Sequence, residues 1–139
     1  MSRKGLIKIS FDPTNVWNRE DFRLFLKSLM DDDKVVIPFE FFIVTEETNT
    51  VLVEAWAEEA GIDVDNIIYS ISQANKLVDL ELEGIDIHFD SEQSNIKYIE
   101  DNTVTTVKPI LVNYLRNTYD QEMKYIQVFK RVLSDLNNE

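Results

Sequence analysis

Residues 6–14 read Leu-Ile-Lys-Ile-Ser-Phe-Asp-Pro-Thr, and this stretch decides the fold. Residues 6–11 (LIKISF) form a short apolar run that ends in Asp12-Pro13-Thr14-Asn15, four residues of turn-forming type. The pattern predicts a strand that runs straight into a tight loop. Asn18 then stands where a helix cap is expected, with Asp21 three residues on as a partial capping box. Phe22, Phe25, Leu26 and Leu29 recur at helical spacing, and the acidic run Asp31-Asp32-Asp33 ends the helix.

The same alternation continues outward. A second strand lies in residues 35–45 (VVIPFEFFIVT), with an apolar centre at 41–44. A helix capped by Thr48 or Asn49 follows, with Val51, Leu52, Ala55, Trp56 and Ala60 as its expected inner face and Gly61 as its stop. Residues 67–71 read as a third strand, 73–83 as a helix closed by Gly84, and 85–89 (IDIHF) as a fourth strand. Residues 93–101 read as a short helix and 107–112 as a fifth strand. Residues 120–136 form an amphipathic helix with Met123, Ile126, Phe129, Val132, Leu133 and Leu136 on one side. Strands that alternate with helices predict βαβ units, hence an α/β fold of three layers (α/β/α, Rossmann-like) around a five-stranded, mainly parallel sheet. Residues 1–139 read as one domain, with a core over about residues 5–119 and the amphipathic helix over 120–137. The 14–18 loop is too short to carry an inserted second domain.

Composition agrees. With 139 residues and 44% apolar residues, a compact chain of this length buries roughly 68% of its unfolded surface. Cysteine is absent, which removes disulfides, thiol catalysis and zinc–thiolate sites. No apolar run approaches the ~20 residues of a membrane span, and the N-terminus lacks the long apolar stretch of a secretion signal, so a cytoplasmic protein is expected. Fourteen scattered basic residues against 26 acidic ones give a net charge of −12. That distribution argues against direct nucleic-acid binding, which needs clustered Lys and Arg. It suits a charged, solvated surface, or else an acidic face that docks a basic protein or imitates nucleic acid.

In parallel α/β sheets ligands sit beyond the carboxyl ends of the strands. The loops there hold Ser10-Phe11-Asp12-Pro13-Thr14 after strand one, Thr45-Glu46-Glu47 after strand two and Asp90-Ser91-Glu92 after strand four, with Lys76 on the helix before strand four. Carboxylates, a hydroxyl and a lysine at one edge have the chemistry to hold magnesium and a phosphate-containing ligand. Each also has an ordinary role: Asp12 in turn chemistry, Thr45 at a strand end, Lys76 as a solvated helix residue, Asp90 and Ser91 as caps.

From Leu6 to Tyr119 the order of these motifs resembles the haloacid dehalogenase-like (HAD) superfamily, in particular its small 5′(3′)-deoxyribonucleotidase-like members. The first motif of that family is a strand followed by Asp-x-Asp-Gly-Thr. Aligned on IKISFDPT, it puts Ser10 at the nucleophile, Asp12 at the general acid/base, Pro13 at the glycine and Thr14 at the threonine. FFIVT supplies Thr45 for the second motif, Lys76 the lysine of the third, and Asp90-Ser91 stands where two adjacent aspartates usually help to hold magnesium. The segment ILVNYLRNTYD is similar to the family's last strand and its turn. A second register makes Asp12 the nucleophile and Thr14 the third motif residue, as in some HAD relatives.

The resemblance implies a magnesium-dependent phosphatase or nucleotidase with Asp12, Thr45 and Lys76 in catalysis and Asp90 with Asp12 on the metal. The departures imply lost activity. Serine at 10 is neither an anionic ligand nor an activated nucleophile, since the only histidine, His88, falls inside strand four and is expected to be packed. Ser91 removes a metal ligand, so magnesium is expected to be held weakly or not at all, and Glu46 and Glu47 repel an anion. The leading expectation is a catalytically impaired HAD-like protein (a pseudo-phosphatase) that binds a protein partner through its acidic surface or C-terminal helix. The alternatives are a magnesium-dependent phosphatase using Asp12, and an acidic protein-binding or nucleic-acid-mimicking module.

Overall fold

The two innermost strands alternate apolar and polar residues, and that alternation sets the layers. A computed structural model describes residues 5–31, 38–112 and 118–137. Its elements are β1 (Ile7–Phe11), α1 (Glu20–Met30), β2 (Phe39–Thr45), α2 (Thr50–Ala60), β3 (Ile67–Tyr69), α3 (Gln73–Glu83), β4 (Ile87–Asp90), α4 (Gln93–Asn102), β5 (Lys108–Leu111) and α5 (Thr118–Asn137), with a single 3-10 turn at Val64–Asn66 before β3. The five strands form one sheet in the order β3-β2-β1-β4-β5, and every pairing is parallel. The fold is therefore α/β and Rossmann-like. The chain lays β2 and β3 on one side of β1, then crosses to β4 and β5 on the other. Strand order thus reverses between β1 and β4, where such sheets open a ligand crevice.

Ile7, Ile9 and Phe11 of β1 and Ile87 and Phe89 of β4 pack on one face against Phe22, Phe25 and Leu26 of α1, Val53 and Ala57 of α2, and Tyr125 and Phe129 of α5. The centre of that layer is aromatic. Phe22 lies 5.6 Å from Phe11, 5.4 Å from Phe89 and 5.9 Å from Tyr125, between ring centroids, and such pairs each contribute about 0.5–1.5 kcal/mol beyond the area they bury. On the other face Phe42 and Val44 of β2 meet Leu77 and Leu80 of α3 and Ile99 of α4. One polar contact ties the layers of the first face together. The buried Asp21 carboxylate accepts from Arg19 Nη2 at 2.6 Å and from Tyr125 Oη at 2.9 Å, which fastens α5 to the first turn of α1.

Two local expectations are corrected and a third is extended. α1 starts at Glu20 with Arg19 in the cap position and no side-chain cap bond, so Asn18 is not the cap. The amides of Val16 and Trp17 both bond to the Pro13 carbonyl, which uses residues 13–17 in a turn, and Asp21 is drawn to Arg19 and Tyr125 instead of back to a cap. The inner face of α2 is Val53 and Ala57, with Trp56 and Ala60 partly buried beside them. Val51 is 78% exposed, Leu52 is 38% exposed, and Ala55 faces solvent. The segment TVLVEAWA is apolar nearly all round, so its periodicity does not fix a face. On α5, Phe129 and Leu136 are buried and Ile126, Val132 and Leu133 partly so, while Tyr125, absent from the expected face, is 1% exposed. Side chain 123, strand residue 35, acidic residues 32–33 and the turn at 113–117 lie outside the described residues.

Candidate functional site

The polar positions of β1 and β4 fall on the face covered by α3 and α4. Parallel register sets Ser10 beside His88. One step further along each strand direction, Asp12 and Asp90 open into a cleft of about 340 Å³ lined also by Thr14, Glu46, Glu47, Ser91, Glu92 and Asn95. Residues 12–19 alone join β1 to α1, so the mouth carries no inserted cap at that connection.

Lys76 organises the cleft. It leaves the first turns of α3, whose start is set by Ser72: the hydroxyl of that cap residue accepts from the Asn75 amide. Its ammonium, 1% exposed as a side chain, lies 2.7 Å from Asp12 Oδ2, 3.1 Å from Asp90 Oδ2 and 3.4 Å from Glu46 Oε2. Burial alone would lower the lysine pKa, but the charges of Asp90 and Asp12 and their hydrogen bonds outweigh it and raise the pKa above the ordinary lysine value. Asp12 Oδ1 accepts from Thr45 Oγ1 at 2.8 Å and from the Thr14 amide at 3.0 Å. Thr45 in turn accepts from the Glu47 amide, which aims its hydroxyl at Asp12.

Asp90 is equally engaged. Its Oδ2 accepts from His88 Nε2 at 3.0 Å, Lys76 Nζ at 3.1 Å and Asn95 Nδ2 at 3.3 Å, and its Oδ1 from the Glu92 amide at 3.0 Å. Asn95 is held in orientation by Gln73 Nε2, which donates to its Oδ1 at 2.8 Å. Burial pushes the Asp90 carboxyl up, but the His88 hydrogen bond and charge, Lys76 and the Glu92 amide prevail and hold it well below the ordinary carboxylate range.

A group whose folded pKa is depressed supplies stability that is present above its unfolded pKa of about 3.9 and is lost as pH falls through the folded value. Stability is therefore expected to drop below about pH 4, and Asp90→Asn to flatten that drop relative to wild type. Urea midpoints measured between neutral pH and strong acid check it. Parallel acid slopes for the two proteins would refute this role for Asp90.

Ser10 does not reach the cleft. It is fully buried within β1, and its Oγ lies 2.7 Å from His88 Nδ1. The expectation that no histidine accompanies Ser10 is thus corrected. His88 Nε2 faces an acceptor-only carboxylate and donates to it, while Nδ1 shares a hydrogen bond with the Ser10 hydroxyl. The series Ser10–His88–Asp90 contains the residue types of a hydrolase triad, but the hydroxyl is sealed beneath the cleft floor and meets no substrate. His88 and Asn95 are the site residues that the motif reading missed. Asn15 adds a backbone mark: its φ of 58° is left-handed, a conformation that Gly adopts freely and Asn tolerates.

Asp12, Thr45, Lys76 and Asp90 thus converge, and Ser91 joins them by donating from Oγ to the Thr14 carbonyl at 3.1 Å. Asp12 and Asp90 are the carboxylates a metal would use, yet among the described residues no group of three or more His, Asp or Glu is arranged to hold one. A larger groove of about 600 Å³ between α1 and α2, lined by Trp17, Arg23, Lys27 and Glu59 among others, gathers no comparable set. Among the described residues no helix is long and apolar enough to cross a membrane. The fold and cleft together define a parallel α/β domain with a buried lysine–dicarboxylate site at its topological switch point. Comparison with protein-family models, curated proteins and solved structures gave no match for the chain.

Proposed function

We propose that the chain is a catalytically impaired HAD-like domain, a pseudo-phosphatase that serves as a binding or regulatory module. The observation that carries this reading is the dense set of hydrogen bonds on Asp12 and Asp90, both bonded by one buried lysine. Asp12, not Ser10, is the residue in the nucleophile's place. The left-handed Asn15 then stands at the glycine of the family motif, a place Pro13 could not fill because its ring holds φ near −65°. In this register Thr14 replaces the acid/base aspartate and Ser91 the second aspartate of the fourth motif. Lacking that acid, the site forgoes the 10²–10⁴-fold that general acid–base catalysis typically contributes. Glu46, Glu47 and Glu92 at the mouth further disfavour a phosphate ester; the same acids suit a basic protein segment.

A second reading, a magnesium-dependent phosphatase using Asp12, is favoured by the aim of Thr45 and Lys76 at that carboxylate. Hydrolysis of p-nitrophenyl phosphate with magnesium separates the two. Turnover far below the ordinary enzyme range of about 1–10³ s⁻¹, and insensitive to Asp12→Asn, is expected. Turnover within that range that Asp12→Asn abolishes would establish the second reading.

A further inference from the structure

By residue type Asp12 and Asp90 look like part of a magnesium site, but hydrogen bonds already take most of their acceptor positions. A carboxylate offers about four lone-pair positions. Asp90 accepts from four groups: His88 Nε2, Lys76 Nζ, Asn95 Nδ2 and the Glu92 amide. Asp12 accepts from Thr45 Oγ1, the Thr14 amide and Lys76 Nζ. Magnesium demands near-octahedral oxygens at about 2.0–2.1 Å, so several of these donors would have to turn away first. Lys76 is the hardest to displace, because its ammonium stands between the two carboxylates and is itself sealed from water.

The third observation concerns no acid. The Thr14 carbonyl, two residues after Asp12, accepts the Ser91 hydroxyl at 3.1 Å. Residue 91 thus presents a hydroxyl donor to this rim, where a cation ligand would have to be an acceptor.

We infer that this cleft works without a divalent cation: Lys76 is its fixed positive charge, and the Ser91 hydroxyl donates to the Thr14 carbonyl at its rim. The inference rests on the same reading of the cleft as the proposal above. Residue 91 then decides metal dependence. Ser91→Asp replaces a donor by an acceptor and adds a carboxylate that a cation can use beside the Thr14 carbonyl. Ser91→Ala removes the donor without adding a ligand.

Isothermal titration of magnesium chloride into the full chain tests this, with the p-nitrophenyl phosphate assay run in parallel in chelator. Wild type and Ser91→Ala are expected to give no saturable heat up to about 10 mM, above the ~10⁻³ M of weak built cation sites. Ser91→Asp is expected to bind at least about tenfold tighter, the scale on which ligand-shell changes act. Saturable submillimolar binding by wild type that Asp90→Asn abolishes would overturn the inference, as would a folded Ser91→Asp that binds no better than wild type. Should Ser91→Asp not fold, the wild-type and Ser91→Ala titrations still decide. Hydrolysis that persists in chelator and needs Asp12 would overturn the proposed loss of activity and leave this inference standing. Magnesium binding by an inert wild type would do the reverse.

Discussion

Lys76→Met is expected to cost the fold about 3–5 kcal/mol, the penalty for removing one partner of a buried ionic group. Methionine keeps most of the lysine stem, so the loss is chiefly electrostatic. Asp12 and Asp90, both nearly buried, would face each other with hydrogen bonds but no counter-charge. The urea midpoint should fall with the m-value unchanged. The deficit should also depend on pH. Without Lys76 the Asp90 carboxyl loses a counter-charge that holds its pKa down, so its folded pKa rises and the penalty should shrink as acidification protonates it. Adding Asp12→Asn and Asp90→Asn to Lys76→Met should recover much of the loss, since the charge left stranded is then gone. A deficit below about 1 kcal/mol, the worth of an exposed pair, or one that ignores pH, would show that Lys76 is not the centre of the cluster.

How far the sequence discloses this cluster depends on the element. The order of strands and helices follows from periodicity and from Gly61 and Gly84, both left-handed at their helix ends. The face of α2 does not, because an evenly apolar helix leaves tertiary packing to choose Val53 and Ala57. The site loops are legible as loops. The register within the first is not, because Ser10 and Asp12 are two residues apart in an extended segment and project to the same side. Only depth separates them. Ser10 sits inside β1, whereas Asp12 is the first residue beyond it. One signal would have helped. Residues 7–12 read IKISFD and residues 85–90 read IDIHFD: two parallel strands, each with polar residues at every second place. Interior parallel strands are ordinarily apolar on both faces. Two that alternate in the same phase announce a buried polar seam, and they would have placed His88 beside Ser10 and in line with Asp90.

Thr14→Asp combined with Ser91→Asp is expected to raise p-nitrophenyl phosphate turnover about 10²–10⁴-fold in magnesium, the share that a general acid/base ordinarily supplies. The chemistry assigns each change a task. In that variant an Asp12 oxygen would attack phosphorus and displace nitrophenolate, and water would then cleave the aspartyl-phosphate, releasing phosphate and regenerating the carboxylate. The acid two residues after Asp12 would act chiefly as the base on the water that cleaves the aspartyl-phosphate, since nitrophenolate leaves unprotonated. An acidic residue at 91 adds a cation ligand, so the gain should vanish in chelator. The contrasting variant is Ser10→Asp. Were position 10 the nucleophile's, this change would restore activity by itself. Ser10 is fully buried against His88, so a larger, charged side chain there overpacks a filled site. Loss of about 1–3 kcal/mol of stability with no gain in turnover is expected. Activity in Ser10→Asp that exceeds that of the double variant would return the nucleophile register to Ser10 and remove the basis for assigning the role to Asp12.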